Sequence, residues 1–234
     1  MASEQRVDTK GSKRAAILGA MFLMATSAIG PGFITQTTAF TAQLGAAFAF
    51  AILVSIVIDI ALQLNVWRVI GVSGRRAQEL ANDVAPGLGW VLAGLVFFGG
   101  AVFNIGNISG TGLGTDAMLG LEPRTGAVIS CVVAIAIFLI KRAGAALDRI
   151  VVVLGFVMIG LTIYVAVTSS PPVGEAMTQA VLPDTIDVVI ITTLIGGTVG
   201  GYITYSGAHR MIDSGVTGVD SVREITRTSV LGIL

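Results

Sequence analysis

The sequence is poor in the residues that most soluble proteins use for chemistry. Across 234 positions it has one cysteine, one histidine and 12% charged residues, about half the charge of an ordinary soluble domain. A lone Cys131 excludes a disulfide framework and a cysteine-built metal cluster. With 14 basic against 14 acidic residues the net charge is zero, which removes the basic face that a nucleic-acid partner requires. Thirty glycines without a three-residue period exclude collagen. What the chain has in abundance is apolar side chains, 54% of the total, and a mean hydropathy of +0.88. Disordered chains, coiled coils and cytosolic enzymes fall away, leaving an all-α integral membrane protein whose first partner is the lipid bilayer.

A spanning helix needs about 20 mostly apolar residues. Six stretches qualify: Ala15–Thr38, Leu44–Val66, Leu88–Ile108, Gly126–Ile140, Ile150–Val167 and Val188–Ala208. The polar stretch after His209 gives way to apolar Thr228–Leu234, which reads as the opening of a seventh span and hence marks a fragment of a longer protein. Charge supports the count. Thirteen of the 14 basic residues fall in the N-terminal tail and in alternate loops, at Arg68, Arg75, Arg76, Lys141, Arg142, Arg149, Arg210, Arg223 and Arg227 beside the tail's own four. Arg124 alone lies on the other side. Lysine and arginine accumulate on the cytoplasmic side of short loops, so the pattern places the N-terminus in the cytoplasm and the protein in the cell membrane. A cleavable signal ending near Ala25-Thr26-Ser27-Ala28 is disfavoured because the apolar run continues to Phe33 and five more spans follow.

Two spans carry breaks. Gly30-Pro31-Gly32 interrupts the first and precedes Phe33, Gln36 and Thr37; Gly196-Gly197-Thr198-Val199-Gly200-Gly201 interrupts the sixth and precedes Tyr202 and Tyr205. Unwound backbone at membrane depth is tolerated where it lines a cavity or is buried in protein, and paired breaks in corresponding positions point to a transporter's substrate site. Glycine-mediated helix packing is the competing reading of each break. The candidate substrate-binding set is therefore Gly30, Pro31, Gly32, Phe33, Gln36, Thr37, Gly200, Gly201, Tyr202 and Tyr205.

Three stretches together resemble the Nramp family of divalent metal transporters: Gly71-Val72-Ser73-Gly74-Arg75 after span two, Leu147 through Gly155 opening span five, and Gly197-Thr198-Val199 through Tyr205 in span six. The resemblance runs from about Ala15 along nearly the whole chain. It implies a LeuT-like fold of two inverted five-helix repeats with helices one and six unwound around an ion site, of which this chain would hold the first repeat and helix six. On that division residues 1–14 form a cytoplasmic tail, 15–168 the first repeat, 169–187 an extracytoplasmic loop, and 188–234 helix six with the loop and helix start that follow. The departures lie at the site. Where the family carries Asp-Pro-Gly-Asn this chain has Gly30-Pro31-Gly32-Phe33, and where it carries Met-Pro-His the aligned residues are Gly200-Gly201-Tyr202. Soft thioether ligands favour transition metals, whereas Mg²⁺ prefers oxygen and keeps several waters. The expected substrate is thus a magnesium-like hydrated ion rather than manganese or iron, held through carbonyls at Gly30 and Gly200 and through Gln36, Thr37 and Tyr202, with no side-chain metal ligand set identified. A neutral solute, or a sensor or scaffold that does not transport, are the other readings.

Asp59 is the one acidic residue well inside a span, and an intramembrane carboxylate is costly enough to mark a candidate proton or ion pathway. Asn104 and Asn107 in span three could line the same path or bridge helices. Asp148 reads as a helix cap, and Gly106, Gly110, Gly112 and Gly114 as a loop leaving span three that lacks the lysine of a phosphate-binding loop. No paired nucleophile and base argues for an enzyme, and no cofactor is implied. A second half-repeat or a homodimer is the expected protein partner, since alternating access needs one part to rock against another.

Overall fold

The computed structural model describes residues 21, 25, 28–139, 143–199 and 202–233. All regular structure among them is helical: α1 (Pro31–Leu44), α2 (Phe48–Ser73), α3 (Ala77–Val84), α4 (Leu88–Leu119), α5 (Pro123–Leu139), α6 (Ala143–Thr168), α7 (Val173–Val181), α8 (Val188–Thr198), α9 (Tyr202–Asp213) and α10 (Val222–Leu231), with short 3₁₀ turns at Gly45–Ala47 and Val219–Ser221.

Pro31–Ser73, Leu88–Leu119 and Val188–Asp213 are long and apolar enough to cross a bilayer, and Val152–Thr168 with Val173–Val181 makes a fourth candidate bent by 108°. Pro123–Ile137 is a shorter apolar helix. The 43 residues of Pro31–Ser73 would reach about 64 Å as one straight helix, twice the roughly 30 Å hydrocarbon core. They fold back instead. Gly45, with φ 54°, closes α1 in a conformation that suits glycine, and the two arms meet α8 at the same level, since Gln36 of α1 lies beside Gly197 while Asp59 of α2 bonds Thr198. Trp90, Phe97 and Phe98 on the outside of α4 are exposed, a surface that hydrocarbon accepts and water does not.

Two helices organise the packing. α2 is flanked by α7, α8, α9 and α10, while α4 packs against α1, α3 and α5. The buried residues of α2 recur every three or four positions, at Phe48, Ala51, Ser55, Asp59, Gln63, Trp67, Ile70 and Gly71, so one narrow face is enclosed and the rest is open. Its lower end forms an apolar core around fully buried Trp67, with Ile203, Ala208, Met211 and Ile225. The indole N–H donates to the Thr204 carbonyl at 2.9 Å. Close approach here depends on glycine. A Cβ at Gly207 would stand 2.5 Å from the Trp67 ring, and one at Gly71 would stand 2.6 Å from the Ile225 side chain. A second core joins Phe48 and Ala51 to Ile190, Ile191 and Leu194.

The expected loop after Ile108 is helix. α4 continues unbroken to Leu119, because its glycines serve packing rather than chain reversal. A Cβ on Gly110 would lie 2.6 Å from the Pro31 backbone, and Gly112 abuts the Pro123 carbonyl in the same way, so α1 and α5 rest directly on the α4 backbone. Two connecting segments also hold helices that charge counting passes over: α3 between spans two and three, and α7 within 169–187. Residues Lys141 and Arg142 and the side chain of Asp148 lie outside the described residues.

Outside the spans, Arg75 hydrogen-bonds Asp83 of α3 and holds its carboxyl below the ordinary value of 3.8. Because the folded value is depressed, the contribution is present above that value and lost as pH falls through the lower, folded one. Asp83→Asn should therefore weaken α3 at neutral pH and have no effect in strong acid, a difference that hydrogen exchange of the α3 amides at the two pH values would reveal. Gly110→Ala should lower the melting temperature in detergent, with a cost of about 1–3 kcal/mol for overpacking. Gly114→Ala, whose Cβ meets nothing within 4 Å, should be neutral or gain about 0.5–1 kcal/mol of helix stability.

Candidate functional site

Helix one is interrupted at a single residue. The Ile29 amide still donates to Ala25 in helical fashion, but Gly30 is extended, at φ −76° and ψ 172°, and the helix restarts with Pro31 at its first position. A helix start leaves N–H groups without intrahelical partners, and at this depth no solvent replaces them. From Pro31 to Ile34 each is accounted for. Pro31 has no N–H; Phe33 and Ile34 donate to the Gly30 carbonyl at 3.0 and 3.2 Å; and Gly32 donates to Asn107 Oδ1 of α4 at 3.3 Å. The cap is thus supplied by another helix. Gly30 is buried against the same asparagine, which fills the space a side chain would need, and Gly32 sits on the Gly106 backbone.

α8 ends at Thr198 and α9 begins at Tyr202, with Gly200 and Gly201 outside the described residues; Gly196 and Gly197, expected to belong to the break, lie within α8. Thr204 Oγ1 donates back to the Val199 carbonyl at 2.5 Å, linking α9 to the end of α8. Thr198 Oγ1 lies 2.6 Å from Asp59 Oδ2 and 2.9 Å from the Leu194 carbonyl of its own helix.

Two cavities flank these breaks. One, of about 390 Å³, is lined by Phe33, Ser55, Asp59, Thr198 and Gly232 among a mainly apolar wall that includes Leu194. The other, of about 440 Å³, holds Tyr202, Tyr205, Ser206, His209 and the Arg76–Asp213 ion pair of 3.1 Å. The candidate residues are divided accordingly. Gly30, Pro31, Gly32 and Asn107 meet at the first break. Phe33 and Asp59 share the first cavity, and Gln36 lies beside Gly197 near the end of α8. Tyr202 and Tyr205 face the second cavity, where the Tyr202 ring meets Phe103 edge-on at 5.9 Å and covers Gly100. Thr37 donates to Ile34 of its own helix, and Asn104 to Gly100 of its own. His209 Nε2 accepts the Ala77 amide at 3.2 Å, tying α9 to the start of α3.

Sequence reading missed Ser55, Gln63, Thr204 and Ser229, all buried. Gln63 donates to the Ser229 carbonyl of α10 at 2.8 Å. A signal was available for two of them, since Ser55, Asp59 and Gln63 follow one another at intervals of four on a single helix face. Ser229 had none, because it sits in the short stretch Thr228–Leu234 that reads as the opening of a span.

The chain matches the family described as natural resistance-associated macrophage protein-like over residues 21–233. It is 56% identical over 234 residues to the uncharacterized membrane protein YcsG of Bacillus subtilis (strain 168), covering 99% of this chain and 58% of that protein. It is 53% identical over 222 residues to an uncharacterized membrane protein of Haemophilus influenzae (strain ATCC 51907 / DSM 11121 / KW20 / Rd), covering 95% of this chain and 56% of that one. The chain thus spans less than two thirds of the length of both relatives. No solved structure matches it.

Asn107→Leu keeps the branched shape but removes the acceptor for the Gly32 amide. It should cost about 1–3 kcal/mol, the usual penalty for a buried unpaired donor, and speed hydrogen exchange at Gly32. An unchanged melting temperature together with unchanged exchange would show that the cap does not hold the break.

Proposed function

The chain belongs to the natural resistance-associated macrophage protein-like family, and from that premise we propose that it forms part of a secondary membrane transporter of divalent metal ions, taking a magnesium-like hydrated ion in preference to manganese or iron. The observation that carries the reading is the pair of interrupted helices. Helix one is extended at Gly30, α8 ends at Thr198 with α9 starting at Tyr202, and Gln36 lies against Gly197 near the end of α8. What these breaks offer an ion is oxygen from backbone carbonyls, amide and hydroxyl groups; no methionine, aspartate or asparagine stands at Gly30–Phe33 or Gly200–Tyr202. A site of that composition suits a hard cation that retains part of its water shell. The substrate set is Gly30, Pro31, Gly32, Phe33, Gln36 and Thr37 from helix one, with Gly200, Gly201, Tyr202 and Tyr205 from helix six. The arrangement is taken as LeuT-like, with a second repeat or a second copy supplying the part that moves. The partition of basic residues supports a cytoplasmic N-terminus and a place in the cell membrane.

The test is divalent-ion uptake in liposomes, followed with ion-sensitive dyes, for this chain and for the longer Bacillus subtilis relative. Saturable Mg²⁺ uptake exceeding that of Mn²⁺ is expected from the relative. Gln36→Ala and Tyr202→Ala, or their equivalents in the relative, should shift half-saturation or ion preference several-fold while membrane insertion is kept. Absence of saturable uptake of any divalent ion by the relative would sink the transporter reading in favour of a sensor or scaffold, and unaltered kinetics in both variants would move the site elsewhere.

A further inference from the structure

Helix α7, in a stretch that sequence reads as a loop, lies across the neighbouring span rather than along it. α6 ends at Thr168, and α7 leaves it at 108°. The corner is set by Pro171 and Pro172, which have no amides to extend the α6 hydrogen bonds, Pro172 holding φ at −73°. α6 needs no continuation to cross a bilayer. Its 26 residues reach about 39 Å, more than the roughly 30 Å hydrocarbon core, whereas the 9 residues of α7 reach only about 14 Å. With α6 spanning, α7 runs close to the membrane plane. Its level follows from its packing, for it rests on α2 and on the 3₁₀ turn Gly45–Ala47, where the chain reverses between two apolar helices. α8 then starts at Val188, capped by Asp187, whose carboxylate accepts the Ile190 amide at 3.0 Å. Its 11 residues cover about 16 Å, half the depth of the core.

Around the axis of α7 the side chains sort into three faces. Ala176, Gln179 and Ala180 are half-buried and turn to the protein; Gln179 also accepts the Asp184 amide at 2.7 Å and so closes the loop that follows. Glu175 and Thr178 are exposed and polar. Val173, Met177 and Val181, four residues apart, form the third face and are 60%, 70% and 71% exposed, with Leu182 and Ile186 exposed just beyond. At 3.6 residues per turn the three faces stand about 120° apart. A helix lying at the water boundary beside a bundle needs that division: one face on protein, one toward water and one for hydrocarbon. Residues 169–187 contain no lysine or arginine, so the attraction is apolar and owes nothing to headgroup charge. We propose that α7 is an interfacial helix resting on the bilayer, with Val173, Met177 and Val181 at the boundary of headgroups and acyl chains. There it fixes the depth of the Gly45 turn and of the α8 start. The inference rests on α6 crossing the membrane and not on which solute is carried.

The experiment introduces one cysteine at a time, by Met177→Cys, Val181→Cys or Glu175→Cys, in a Cys131→Ala background. Each is labelled with an environment-sensitive fluorophore, and the full chain is reconstituted in phosphatidylcholine nanodiscs. Three quenchers locate the label: lipids brominated near the headgroup, lipids brominated near the chain end, and aqueous iodide. Labels at 177 and 181 should be quenched several-fold more by the shallow bromines than by the deep ones, with iodide having little effect. The label at 175 should answer to iodide several-fold more than to either lipid. Should Met177→Cys not fold, Val181→Cys carries the same test. The proposal is overturned if the apolar-face label answers to iodide and not to lipid. It is equally overturned if deep bromines quench that label more than shallow ones, which would make α7 the second limb of a broken span, or if all three fail to reach it, which would put another protein segment or a second copy over the face.

Discussion

A helix broken within hydrocarbon survives only if other protein groups take over the bonds it gives up, and in this chain that task falls on the contact between helix one and α4. Asn107 accepts the one amide that neither proline chemistry nor the Gly30 carbonyl covers. The asparagine can reach it because glycines at 30, 32 and 110 bring the two backbones together. Bond and contact are interdependent: a side chain at 30 would displace Asn107, and loss of Asn107 would leave a buried donor unpaired. Where α8 gives way to α9, Thr204 likewise returns its hydroxyl to the Val199 carbonyl.

Around these breaks the structure separates apolar from polar work along the length of α2. Its ends are closed by aromatic and aliphatic packing, at Phe48 on one side and Trp67 on the other. Between them lie Ser55, Asp59 and Gln63, a polar sequence one residue wide and enclosed by α8 and α10. The threonines of helix one present the opposite case. Thr35, Thr37, Thr38 and Thr41 all return their hydroxyls to carbonyls three or four residues earlier, so a segment that looks polar in sequence carries little unmet hydrogen-bonding demand.

Much of this was legible beforehand, and the reasons differ by residue. Gly30-Pro31-Gly32 marked the first break because proline lacks an amide and glycine tolerates the turn, and both properties are local. Hydropathy found the apolar segments, and Asp59 stood out against them. What could not be read depended on distant partners. The same residue type that reverses the chain at Gly45 continues it at Gly110, and the distinction lies in whether another backbone is adjacent. Asn107 reads first as an inter-helix bridge and second as a pathway residue, and the Gly32 amide beside it supports the bridge. Ser229 gave no hint, since its burial comes from α10 folding onto α2. The division of Phe33 from Tyr202 between two cavities is likewise a matter of helix placement that spacing along the chain does not encode.

The close fit at the foot of α2 also governs how the sequence can drift. Gly71 leaves room for the Ile225 side chain, and Gly207 for the Trp67 ring, with clearances too small for one added carbon. Neither glycine is free to change by itself. A larger residue at 71 is admissible where 225 becomes smaller, and one at 207 where the indole has been exchanged. Such positions vary in pairs, so among aligned relatives 71 with 225, and 67 with 207, are the columns in which substitution at one site should be matched by compensation at the other.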